Sequence, residues 1–198
     1  MSRVARAKRM LAFADRMLKD SSVSVIDLGG TIRFWDDAPR HLELTVVNLP
    51  GEIHVEGGSS HRSVRLVEAD ACNLSFLPDK SFDIAFSNSV IEHVGNEERQ
   101  DAFAAEARRL GRGYWVQTPC TGFPIEAHTG IPFWWQFPSS LQKKLIAHWR
   151  KSLPEWADFI EETRVLSEKR MRHLFPDSEI YVERVVGIPK SIVAYRNT

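Results

Sequence analysis

Apolar and β-branched residues fall in short blocks parted by polar or glycine-rich connections, and the blocks alternate between strand-like runs and a helical spacing. Val23 to Thr31 reads Val-Ser-Val-Ile-Asp-Leu-Gly-Gly-Thr, an apolar run ending in an acid and a glycine pair, as a buried parallel strand ends in a tight turn. Residues 43–49 predict a second buried strand, Ser63 to Val67 a third, Ser81 to Phe86 a fourth and Tyr114 to Gln117 a fifth. Glu179 to Val185 and Ser191 to Tyr195 predict two more, and the tight Gly187-Ile188-Pro189 connection makes them an antiparallel terminal pair. Helical spacing appears in residues 3–18, where Val4, Leu11, Met17 and Leu18 form a stripe with Ala7 and Ala14, opposite Arg3, Arg6, Lys8, Arg9 and Lys19. It returns at Gln100 to Leu110, stopped by Gly111-Arg112-Gly113, at Leu141 to Leu153 and at Ser167 to Leu174. Thr31 to Arg40 has no clean period, and Leu49 to Arg62 reads as a loop. Strands alternating with helices predict an α/β fold with a mostly parallel sheet.

A length of 198 residues fits one domain spanning 1–198, with 1–19 an amphipathic amino-terminal helix. The 26 basic and 26 acidic residues cancel, which leaves no overall electrostatic footprint for nucleic acid, so none is expected as a partner. Cys72 and Cys120 lie far apart without metal-ligand spacing; they read as reduced thiols, and no metal is expected. Met10 to Phe13 is too brief for the apolar core of a signal peptide and no run reaches membrane-spanning length, so a cytoplasmic location is expected. The basic helix either packs beside the domain's ligand crevice or lies peripherally on an anionic membrane.

In open α/β sheets ligands bind beyond the carboxyl ends of the strands, where glycines let them touch the main chain, so Asp27, Gly29 and Gly30 line the expected crevice. Asn48 ends the second strand about twenty positions after Asp27, the spacing at which nucleoside-binding domains place a ribose-binding side chain. An amide accepts only through its carbonyl oxygen, so Asn48 would hold a ribose differently from an acid. Thr118 to Pro138 gathers Phe123, Phe133, Trp134, Trp135 and Phe137 with four prolines, Glu126 and His128. It reads as a lid or substrate wall over the crevice, with some aromatics packed on the core, and it favours an apolar or aromatic small-molecule acceptor.

Phe82-Asp83-Ile84-Ala85-Phe86-Ser87-Asn88-Ser89-Val90-Ile91-Glu92-His93-Val94, with Leu77-Pro78 and Asp70-Ala71 ahead of it, resembles the fourth-strand region of class I S-adenosylmethionine-dependent methyltransferases of the small-molecule, type 11 kind. The likeness runs from Val23 to the carboxyl terminus, where Arg170 to Arg196 also resembles this group. It implies a Rossmann-like, doubly wound, seven-stranded sheet with helices on both faces. It also implies S-adenosylmethionine as cofactor and S-adenosylhomocysteine as product. By resemblance Asp27, Gly29 and Gly30 lie near the methionine end, Asn48 and Leu49 at the ribose, Asp70 and Ala71 at the adenine, and Ser87 with Asn88 beneath the sulfonium. Two residues depart from the pattern: Thr31 replaces a glycine, and Asn48 an acid.

Methyl transfer from a sulfonium needs a positioned nucleophile and excluded water rather than a nucleophilic side chain. A hydroxyl or acidic-carbon acceptor gains from a general base, and His93 and His128 are the candidates. Two other readings are a catalytically idle methyltransferase-like binding module, supported by Thr31 and Asn48, and a nicotinamide-dependent oxidoreductase. The first glycine turn lacks the Gly-x-Gly-x-x-Gly pattern the latter needs.

Overall fold

The two most apolar runs, Val23–Leu28 (β1) and Phe82–Asn88 (β4), pair side by side in the middle of a sheet. This is seen in a computed structural model that describes residues 3–18, 23–38, 42–52, 64–125 and 129–197. Leu42–Asn48 (β2) and Val64–Glu68 (β3) extend the sheet on one side, and Gly111–Pro119 (β5), Glu179–Val185 (β6) and Ile188–Arg196 (β7) on the other. The order is β3-β2-β1-β4-β5-β7-β6, with β1 to β5 parallel and β7 antiparallel to both neighbours. All seven expected strands are present. At its outer edge β6 slips register between Glu183 and Arg184, and the turn to β7 puts Val186, 96% exposed, at φ 50°.

Alternate residues of each strand serve opposite faces. Ile26, Leu28, Ala85 and Val116 pack with Phe103, Ala107 and Leu110 of Glu97–Leu110 (α2) and with Met171 and Leu174 of a shorter helix, Glu168–Leu174. On the other face Val25, Phe86 and Trp115 meet Met10, Phe13 and Met17 of Arg3–Met17 (α1). That face also receives Phe34 and Trp35 from a 3₁₀ helix, Ile32–Asp37, in the stretch whose sequence has no period. The amino-terminal stripe therefore needs correction: Leu11 is 63% exposed, while Met10 and Phe13 are fully buried. Because that apolar side rests on the sheet, it is not presented to a bilayer. No helix among the described residues is long and apolar enough to cross a membrane.

Between β5 and the Glu168–Leu174 helix lie Ser139–Trp149 (α3) and Pro154–Glu162 (α4), after which we number that helix α5. The sequence reading ran a single helix through to Leu153. Pro154 instead opens a second one, its ring suited to a first helical turn and its missing N–H costing nothing there. Trp134, Ile146, Ala157 and Ile160 form a third, small core in which Trp134 packs against Trp149 and Phe137. The aromatic segment thus supplies a core of its own, while Phe133 and Ile125 are exposed.

Candidate active site

Parallel pairing brings the carboxyl ends of β1, β2, β4 and β5 together, with Leu28 beside Val47 and Asn88 beside Gln117. The sheet order turns between β1 and β4, the switch point at which such sheets bind ligands. Gly29 leaves β1 at φ 77°, its N–H donating to the Val47 carbonyl at 2.7 Å, and a Cβ there would strike Val90. Gly30 follows, and a Cβ on it would fall inside the Asp27 carboxyl group. The glycine pair therefore lets the turn close directly over a buried acid.

Asp27 is fully buried; its Oδ2 accepts from the Trp35 indole N–H at 2.7 Å, and its Oδ1 has no partner among the described residues. Burial pushes the carboxyl up to about 7, against the opposing pull of the Trp35 hydrogen bond. Asn48 donates from Nδ2 to the Gly30 carbonyl at 2.7 Å, which ties the end of β2 to the turn and turns its carbonyl oxygen to acceptor duty. Leu49 follows, half exposed.

Asp70 accepts from the Cys72 backbone N–H and, through both carboxylate oxygens, from the single Arg99 Nη2 at 2.9 and 3.0 Å. Partial burial works against the carboxylate, but these donors outweigh it and hold the group below its ordinary range. Ala71 lies beside it in the same turn. Burial pushes the Cys72 and Cys120 thiols up to about 11, so neither is a thiolate at neutral pH.

Ser87 is fully buried and donates to the Leu28 carbonyl at 3.1 Å, which locks β4 to β1 just below the turn. Asn88 Oδ1 accepts from Arg9 of α1 at 3.1 Å. Ser89 has a left-handed backbone, φ 57°, and its hydroxyl donates to Gln117 Oε1 at 2.8 Å. Glu92 is buried, accepting from the Thr118 hydroxyl at 3.1 Å. His93 stacks on Phe159 of α4 with ring centroids 4.8 Å apart, and its Nδ1 lies 3.4 Å from the Thr163 hydroxyl. His128 and Glu126 lie outside the described residues.

The structure thus gathers Asp27, Gly29, Gly30, Asn48, Ser87 and Asn88 around one switch point, and puts His93 against α4. Sequence reasoning missed Trp35, Arg99, Arg9 and Gln117, each of which holds a site residue through a side chain. Arg9 was read as part of α1's solvent face; in fact it spans to Asn88 and Glu183. A tryptophan next to acids in an unperiodic stretch was the one local signal for Trp35.

The donor set fits a nucleoside-bearing sulfonium cofactor: a glycine turn with no side chain to obstruct approach, an acceptor amide, and an exposed apolar residue at the end of β2. Residues 36–113 match the family model of a methyltransferase domain (Methyltransf_11), narrower than the span of the sequence resemblance but including Asn48, Asp70 and the whole fourth-strand region. No curated protein matches the chain. Among solved structures, a possible exported protein from Bordetella parapertussis is similar over 99% of this chain and 68% of its own, at 12% identity and a TM-score of 0.59. A SAM-dependent methyltransferase from Aquifex aeolicus is similar over 96% of this chain and 87% of its own, at 15% identity and TM-score 0.53. The mycolic acid cyclopropane synthase CmaA1, complexed with SAH and CTAB, is similar over 91% and 61%, at 18% identity and TM-score 0.56. At these identities the structural likeness speaks for the fold, and the family model matches less than half of the chain. A methyltransferase-domain segment set in this seven-stranded sheet makes the chain similar to class I S-adenosylmethionine-dependent methyltransferases.

Proposed function

We propose that the chain methylates a small molecule at a hydroxyl or acidic carbon, using a cofactor held by the residues around the first glycine turn. The observation that carries this reading is the turn itself, closed over Asp27 by Gly29 and Gly30 and tied to β2 by Asn48. When bound, S-adenosylmethionine supplies the electrophilic methyl group. Gly29 and Gly30 would meet its methionine end through the main chain, with Asp27 buried beneath them and shaping the turn. Asn48, with one of its two Nδ2 hydrogens committed to Gly30, offers its carbonyl oxygen to a ribose hydroxyl, and Leu49 lends apolar surface beside it. Asp70 and Ala71 would meet the adenine, with Arg99 orienting the carboxylate. Ser87 and Asn88 form the floor beneath the transferring group. That the cyclopropane synthase neighbour holds SAH supports this assignment.

For the proton that leaves the acceptor we assign His93, with His128 as the second candidate. Stacking on Phe159 holds the His93 ring in one plane, which favours a fixed proton acceptor. His93→Ala should leave cofactor affinity unchanged and lower turnover by about 100-fold. Unchanged turnover in both His93→Ala and His128→Ala would remove the acid-base role.

Calorimetric titration with S-adenosylmethionine and S-adenosylhomocysteine tests the reading directly. Saturable binding of both is expected, weakened about tenfold by Asp70→Ala and a few-fold by Arg99→Ala. No binding of either by the folded protein would overturn it. Binding without transfer to any small acceptor would instead favour an idle binding module, to which Thr31 and Asn48 already point.

A further inference from the structure

Away from the glycine turn, α1 and the β6–β7 hairpin enclose a cavity of about 330 Å³. Its lining includes the rings of Trp115 and Tyr181, whose centroids lie 6.1 Å apart, together with Val193, and at its edge stand the exposed Lys8 and Arg184. Gln117 also lines it. This side chain is 1% exposed, and its Oε1 accepts from Ser89 and from Arg9 at 3.3 Å. A guanidinium only donates, so Arg9 fixes which way the amide faces. The amide nitrogen, Nε2, is then left buried with no acceptor among the described residues. A buried donor without a partner is costly, and a ligand oxygen would relieve it.

Charge in the cavity is uneven. Arg9 is committed to Glu183 at 2.8 Å, and Glu183 also accepts from Ser191 and faces Lys190. Glu183 is thus faced by two cations, Arg9 and Lys190, while Lys8 and Arg184 add positive charge at the mouth. The cavity also touches the transfer site through side chains, since Gln117 holds Ser89 and Arg9 holds Asn88.

We propose that this cavity binds the body of the methyl acceptor, and that the acceptor is an aromatic carboxylate of one or two rings carrying a second oxygen substituent. The rings lie against Trp115, Tyr181 and Val193, the second oxygen accepts from Gln117 Nε2, and the carboxylate meets Lys8 and Arg184. The volume, near the lower end for small-molecule sites, limits the ligand to that size. This assignment rests on the methyltransferase reading above.

The test is calorimetric titration of the full chain with 6-hydroxy-2-naphthoate, alongside S-adenosylmethionine in the same preparation. Saturable naphthoate binding is expected, at least fivefold weaker in Lys8→Ala/Arg184→Ala and also in the single Lys8→Ala variant, which leaves the hairpin untouched. 2-Naphthol, which lacks the carboxylate, should bind with an affinity these substitutions do not change. No saturable naphthoate binding, or equal affinity in all three proteins, would overturn the cavity assignment even where S-adenosylmethionine binds normally. Naphthoate binding in a protein that binds no S-adenosylmethionine would overturn the acceptor role by removing the methyltransferase reading beneath it.

Discussion

Asp27 shows how one residue can be readable in sequence and still surprise in its chemistry. Its position, and those of Gly29 and Gly30, follow from neighbours along the chain, so strand pattern and turn chemistry were enough to find them. Its protonation depends on Trp35 and on complete burial, which only the folded chain creates. With the carboxyl raised to about 7, the folded protein keeps a proton between about pH 4 and 7 that the unfolded chain has lost. Stability from this group is therefore complete below about pH 4, falls as pH rises through that window, and levels off above it. Asp27→Asn does not titrate, so the melting temperature of the wild type relative to this variant should be higher at pH 5 than at pH 8, by roughly 5 °C. A difference that stays constant with pH would mean that the carboxyl is not sealed. Arg99 makes the complementary point. It orients Asp70 from 29 positions away, a pairing that no local pattern encodes. Since the pair is substantially exposed, Arg99→Ala should cost little stability, under about 1 kcal/mol, so any loss of cofactor affinity can be read as positioning.

Among elements, α1 carries the most consequence for its length. The sequence shows an amphipathic basic helix whose Met17 and Leu18 are buried as the stripe predicts, while Leu11 is exposed and Met10 and Phe13 are buried in its stead, since all three are apolar. What settles the face is the sheet beneath. Phe13 meets Trp35, Phe86 and Trp115 edge to face, at centroid distances of 5.7, 5.0 and 5.7 Å. Phe13→Ala should destabilise the protein by about 3–5 kcal/mol, read from denaturant midpoints. It should also loosen Arg9 from Asn88 and Gln117, so aromatic carboxylate affinity should fall more than cofactor affinity. The 3₁₀ helix was invisible for a different reason. Six residues are too few to display a period, and its two aromatics are placed by the core rather than by helical propensity. At α4, the sequence pattern gives a helix over 141–153 and no second one, although Pro154 is suited to open it.

Across the whole molecule, strand count was legible because buried parallel strands are continuous apolar runs bounded by turns, whereas strand order appears only in the folded sheet. The packing of the region between β5 and α5 was not, since its aromatics could face the crevice or each other. They mostly face each other, around a small core of four buried residues among those described. So small a core should open locally at lower cost than the sheet. Amide hydrogen exchange in α3 and α4 is expected to run at least tenfold faster than in β1, β4 and β5, and Trp134→Ala should speed it further while leaving S-adenosylmethionine binding intact. Equal protection in both regions would show that the two cores open together. The strand order has a final consequence, in time rather than in space. β7 lies between β5 and β6, although β6 is made first. During synthesis β6 therefore has no place in the sheet until β7 has emerged, and at 5–20 residues per second the β5 edge waits unpaired for about 4–15 s. For that interval the growing chain exposes its widest apolar strand edge, which is when a chaperone would have most to do.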